Sequence, residues 1–279
     1  MSRFILQIAA VVCLLIFLSG KGSANVWRPA VKGTLPPNPD DDYYQTFQTV
    51  PPANKTATKL LTNFLRISGK FPLGRRKRST RIEDIVVVLD RSGSIGRCEF
   101  GKGKKALKNM MKVANENRNV DTKYAAVSYS NNAVVNFNFL RYSTAARRIM
   151  QIPYVGGGSN TQDGLEKAKR LFEDPSSGRR VISRKMVLLV TDGHSNSRDL
   201  TISKAKALKG IGIDIYVVAV GSHINGIDEM VNVASSPPEN HMFRVQTLGD
   251  FWQVVKFRVI SPVNPGEYAV LNGQYDPLC

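Results

Sequence analysis

Residues 84–94 read Asp84-Ile85-Val86-Val87-Val88-Leu89-Asp90-Arg91-Ser92-Gly93-Ser94, and the change of character at Asp90 decides the fold. Residues 84–89 form a mostly β-branched apolar run with no polar alternation after Asp84, the pattern of a strand covered on both faces, as in a parallel sheet. A carboxylate, two hydroxyls and a glycine follow at once, so this strand delivers polar groups at its carboxyl end. Downstream, residues 99–116 place Phe100, Leu107, Met110, Met111 and Ala114 at helical spacing. Strands are expected at 124–130 and 133–139 around the tight turn Asn131-Asn132, and again at 184–191, 213–220 and 242–245. Helices are expected at 144–152, 161–172, 203–208 and 227–234, with a last one faced by Leu248, Phe251, Trp252, Val255 and Val259. This alternation predicts one α/β domain over residues 83–259: a doubly wound, mostly parallel sheet with one antiparallel edge strand and helices on both faces.

Ligands of such sheets sit beyond the carboxyl ends of the strands, and three loops there carry matching chemistry. They are Asp90-Arg91-Ser92-Gly93-Ser94, the glycine-rich run 156–160 leading into Thr161, and Thr191-Asp192-Gly193. Asp90, Ser92, Ser94, Thr161 and Asp192 offer two carboxylates and three hydroxyls, without His or Cys at ligand spacing. Hard oxygen donors of this kind select Mg²⁺, with Mn²⁺ or Ca²⁺ as substitutes, over Zn²⁺. Two carboxylates only neutralise the ion, so a carboxylate arriving on a partner completes its shell favourably.

These five residues, in three correctly ordered loops, resemble the metal-ion-dependent adhesion site of the von Willebrand factor type A domain family. Asp90, Ser92 and Ser94 stand in the family's Asp-x-Ser-x-Ser, Thr161 in its threonine loop, and Asp192 in the Thr-Asp-Gly after the central strand. Residues 192–196, Asp-Gly-His-Ser-Asn, and 234–237, Ala-Ser-Ser-Pro, resemble the secreted subgroup with the large sushi, EGF and pentraxin adhesion proteins. The resemblance implies a non-enzymatic binding module whose partners are extracellular matrix or cell-surface proteins. Two enzyme-like readings fail on the residues. The run Gly96 to Lys102 superficially matches a phosphate loop, but Gly103 stands where a Ser or Thr must reach Mg²⁺. His194 lies near several serines, yet no Gly-x-Ser-x-Gly elbow is present.

The flanks point to an exported protein. Arg3, the apolar run 4–18 and Gly22-Ser23-Ala24 give residues 1–24 the form of a signal peptide, too short in its apolar part to span a bilayer. Residues 25–78 are proline-rich, read as a leader or linker without a stable core, and end in Arg75-Arg76-Lys77-Arg78, which resembles a furin-type cleavage site. Asn54-Lys55-Thr56 is a glycosylation sequon expected on an exposed loop. Once the signal leaves, Cys98 and Cys279 remain in an oxidising compartment, to pair within the chain or across a disulfide-linked dimer. Residues 260–279 form a tail. The formal charge is +17, of which residues 1–78 carry +9; with so much of it outside the α/β region, nucleic-acid binding is not expected. Lys104, Lys108 and Lys112 line a second stripe of helix 99–116 that could take an acidic ligand such as a sulfated glycan. Two functions fit these residues: a secreted, metal-dependent adhesion module for a carboxylate-bearing protein, and a structural component of an extracellular matrix, mineralised or not, held by its basic surface and self-association.

Overall fold

The unbroken apolar run of the first strand has a structural cause: its alternate residues feed two separate cores. In the computed structural model, which describes residues 42–67, 81–117 and 119–255, Ile85, Val87 and Leu89 join one core while Val86 and Val88 join the other. This strand, β1 (Arg81–Asp90), lies between β2 (Val120–Tyr129) and β4 (Arg184–Thr191), parallel to both. β3 (Ala133–Arg141) pairs antiparallel with β2, and β5 (Asp214–Val220) and β6 (Met242–Val245) continue parallel beyond β4. The order β3-β2-β1-β4-β5-β6 is the doubly wound, mostly parallel arrangement expected from the sequence, with one antiparallel edge.

Ahead of the sheet come α1 (Asp42–Gln45), α2 (Ala53–Lys59) and a π-helical turn, Leu60–Phe64. On the face of Ile85 and Val87 pack α3 (Arg97–Glu116) and α4 (Tyr142–Met150); on the opposite face lie α5 (Thr161–Glu173), α6 (Arg198–Gly210) and α7 (Ile227–Val233). The short α8 (Pro238–His241) precedes β6, and α9 (Leu248–Gln253) returns to α3. Gly103 sits at that return: a Cβ there would stand 3.0 Å from Leu248 Cδ1. Lys102, which the phosphate-loop reading would place on a nucleotide, is buried and paired with Glu99 at 3.5 Å. Among the described residues no helix is long and apolar enough to cross a membrane.

β1 and β2 begin three and four residues before their apolar runs do. Their mostly polar first residues are held by the ladder between them, Arg81 opposite Val120 through Asp84 opposite Lys123, which leaves no trace in periodicity. Asp84 is fully buried there because Arg180 donates to it from its backbone N at 2.7 Å and Nε at 2.9 Å.

The larger difference concerns the leader. Residues 42–67 build no core of their own, but Ala57, Leu60, Phe64 and Leu65 belong to the first core, and Tyr44 and Phe47 to the second. The sequon is accordingly in the first turn of α2 rather than on a loop, with Asn54 exposed and Thr56 buried. Residues 1–41, the basic tetrad 75–78 and the tail 260–279 lie outside the described residues.

Close approach of α5 to the sheet sets the height of Thr161 over β1. A Cβ on Gly164 would stand 2.9 Å from Tyr129 Cδ1 and 3.1 Å from Val88 Cγ1, so only glycine fits this packing without movement. Gly164→Val is expected to destabilise the domain by about 1–3 kcal/mol through overpacking, read as a lower urea midpoint; an unchanged midpoint would refute this account of the helix position.

Candidate metal centre

β1 and β4 are neighbours from which the sheet is wound in opposite directions, and at this switch point the loops beyond the strand ends diverge to leave a crevice. Asp90 ends β1 with no exposure to solvent. Its Oδ1 accepts from Ser92 N at 2.8 Å, and its Oδ2 from Tyr129 Oη and Thr191 Oγ1, each at 3.1 Å. Ser92 Oγ and Ser94 Oγ are 3.0 Å apart, and Ser94 Oγ donates to Asp192 Oδ1 at 3.1 Å. Buried Thr161 stands with its hydroxyl beside that of Tyr129. The structure thus joins Asp90, Ser92, Ser94 and Asp192 through direct hydrogen bonds and brings Thr161 to them through Tyr129. Asp90, Ser92 and Thr161 are sunk, whereas Ser94 is exposed and Asp192 half-buried, so the group opens outward. A cleft of about 260 Å³ lies against Ser94, Asp192, Glu99 and Leu248.

The loops are tied to one another. Gly93 N donates to Gly157 O at 2.8 Å and Gly156 N to Arg91 O at 3.0 Å. Asn131 Oδ1 accepts from Gly158 N at 2.7 Å, and a Cβ on Gly157, which has φ 97°, would stand 3.0 Å from that same side chain. Asn196 clasps Ser159 through both its backbone and its side chain. Asn160 caps α5 by accepting from Asp163 N, and Asp163 Oδ2 holds Ala133 N of β3 at 2.8 Å.

Burial pushes the Asp90 carboxyl up to about 6; hydrogen bonds from Ser92 oppose the shift and the charge of Asp192 adds to it. Asp192 is raised as well, again chiefly by burial, with Ser94 opposing. Two desolvated carboxylates close enough to repel are costly as anions unless a cation stands between them. Among the described residues no cluster of three or more His, Cys, Asp or Glu side chains could hold a metal ion, so any ion here must draw on the hydroxyls. The donor set fits a hard divalent cation.

Two contributors lay outside the sequence reading. Tyr129 and the hydroxyl of Thr191 both donate to Asp90, and only the terminal position of each on its strand, beside the end of β1, signalled it. Of the lysine stripe, Lys104 donates to Met150 O at 3.0 Å and Ile152 O at 2.8 Å, closing the C-terminal end of α4, and burial lowers its pKa. Lys108 is exposed and Lys112 half-buried, so the stripe is not a uniform solvent-facing row. His194 is exposed, with its Cβ only 2.5 Å from where a Cβ on Gly226 would stand.

The model of the von Willebrand factor type A domain matches residues 84–256. Mouse integrin alpha-M is 26% identical over 195 residues, covering 66% of this chain and 16% of the integrin. The rat sushi, von Willebrand factor type A, EGF and pentraxin domain-containing protein 1 is 29% identical over 188 residues, covering 63% of this chain and 5% of that protein. The chain thus matches only a small part of either relative. Among solved structures, proximal thread matrix protein 1 from the mussel byssus, with a zinc-occupied MIDAS motif, superposes with a TM-score of 0.56 at 20% identity, over 65% of this chain and 48% of that one.

Tyr129→Phe removes a buried donor to the Asp90 carboxylate. The expected outcome is a loss of about 1–3 kcal/mol in denaturant unfolding without divalent ions. A variant as stable as the parent would show that this hydrogen bond does not support the site.

Proposed function

Because the chain belongs to the von Willebrand factor type A domain family, we propose that it is a secreted adhesion module that binds a carboxylate of an extracellular matrix or cell-surface protein through a divalent ion. Asp90, Ser92, Ser94, Thr161 and Asp192 would hold the ion, Mg²⁺ first, with Mn²⁺ or Ca²⁺ as substitutes. The observation that carries this reading is the pairing of two desolvated carboxylates with an arc of hydroxyls that opens to solvent at Ser94 and Asp192. A divalent ion bound there supplies an electrophilic position at which a ligand carboxylate can coordinate. Around it, Tyr129 and Thr191 orient Asp90, and the bonded glycine loop keeps Thr161 at its height. The zinc-occupied motif of the byssal protein supports a divalent site in this fold without deciding the metal here.

Export by a signal peptide at residues 1–24, processing after Arg75-Arg76-Lys77-Arg78 and glycosylation at Asn54 belong to the same reading, as does a disulfide of Cys98 with Cys279 within or between chains. The extracellular character of the relatives supports secretion.

Thermal unfolding of the secreted chain in Mg²⁺ and in EDTA tests the metal site. An ion at about 100 times its Kd stabilises by roughly 2.7 kcal/mol, so the midpoint should rise in Mg²⁺ for the parent and not for Asp90→Ala. Equal midpoints for the parent would remove the site. Adhesion to matrix protein is expected to vanish in EDTA and in Asp192→Ala; adhesion that instead survives chelation but falls with salt would transfer the function to the basic surface.

A further inference from the structure

β6 is an edge strand, and an edge leaves a row of backbone groups without partners. Val245 O accepts from Gly221 N at 2.9 Å and so faces β5; by the two-residue period of a strand, the carbonyls of Met242 and Arg244 face away. Both are met from α2, Met242 O by Lys59 Nζ at 3.1 Å and Arg244 O by Thr56 Oγ1 at 3.4 Å. Beside them Phe64, 1% exposed, lies edge-on to Tyr216 and Phe243 with ring centroids 5.0 and 6.4 Å away. Tyr216 Oη donates to Asn63 O at 3.1 Å. At the other end of the segment, Gln48 exchanges two hydrogen bonds with the backbone of Ile224, at 2.8 and 3.0 Å.

The buried guanidinium of Arg244 ties the two parts together. It donates to Ala219 O of β5 and Gly221 O just beyond it, and to Phe47 O and Gln48 O of the segment, all at 2.8–3.0 Å. Half the acceptors of a buried cation thus come from residues 42–67, and their loss would leave desolvated donors unmet, which costs more than an ordinary hydrogen bond contributes. Arg81 Nη2 donates to Arg66 O at 3.2 Å, so the chain leaves and re-enters the body at neighbouring points on either side of residues 68–80.

We propose that the β6 edge, the Tyr216–Phe243 face and the Arg244 guanidinium form a non-covalent binding site for residues 42–67 that functions without the connecting residues. A cut at the basic tetrad then yields a two-chain module and not a domain freed of its leader. The inference rests on the processing reading only for the place of the cut.

The test is to treat the purified secreted chain with a furin-type convertase and to compare a denaturing gel with non-denaturing gel filtration. Two fragments on the gel that co-elute at the mass of the uncut chain are expected. Elution of the fragments apart, or precipitation of the larger with the smaller left in solution, would overturn the proposal. Should the convertase leave the chain whole, the processing reading fails alone, and the seat is tested by replacing residues 75–78 with another protease's recognition sequence. The double variant Phe64→Ala, Gln48→Ala, with its uncut circular dichroism unchanged, is expected to retain at least tenfold less of the smaller fragment after cutting; retention at the parent level would refute this seat.

Discussion

A carboxylate with no exposure at the end of a doubly covered strand is the constraint around which this domain is arranged. β1 must be apolar on both sides to fill two cores, so Asp90 emerges directly from the driest part of the molecule. It is tolerable there only because Ser92 N, Tyr129 and Thr191 each present a donor, and those donors come from β1's own loop and from the ends of both neighbouring strands. Asp90 thus ties its own loop to the ends of both neighbouring strands, and the hydroxyls of Ser92 and Ser94 stand between Asp90 and Asp192.

The edges of the sheet pose a separate problem, met in two ways. At β3 the ladder with β2 shifts register between Tyr124 and Ala126 and again between Ala126 and Val127; such irregularity twists an edge away from further pairing. At β6 the outward carbonyls are covered by Thr56 and Lys59 from ahead of the domain. The second solution uses side chains in place of a seventh strand, so it leaves the sheet topology unchanged while adding Leu60 and Phe64 to the core.

What could be read in the sequence follows from how local each signal is. The runs at 184–191 and 242–245 coincide with β4 and β6, because a strand buried on both faces announces itself by composition alone. The polar starts of β1 and β2 did not, since strand pairing and, for buried Asp84, the Arg180 donors hold them in place of an apolar period. The five oxygen donors were legible through their order along the chain, but Tyr129 was not, because its role depends on β2 lying beside β1 in register, Asp90 opposite Tyr129. The burial of residues 42–67 was hidden for a related reason. Ala57, Leu60 and Phe64 carry a helical period, yet the segment is too short and proline-bounded to form a core by itself, and nothing local shows that Tyr216 and Phe243 await it.

The two assemblies stand on different parts of the sheet, and this separation bears on what the leader can do. The candidate metal centre uses the ends of β1, β2 and β4 and the start of α5, while the contacts that seat residues 42–67 run along β5, β6 and the segments joining them. A segment that blocked the site would need to lie over Ser94 and Asp192, the open side of the donor arc. Residues 42–67 instead supply buried side chains and carbonyls that the β5–β6 half lacks. Their loss would first be felt at the uncovered carbonyls of β6 and the half-satisfied guanidinium of Arg244, so residues 42–67 act as a structural part of the domain.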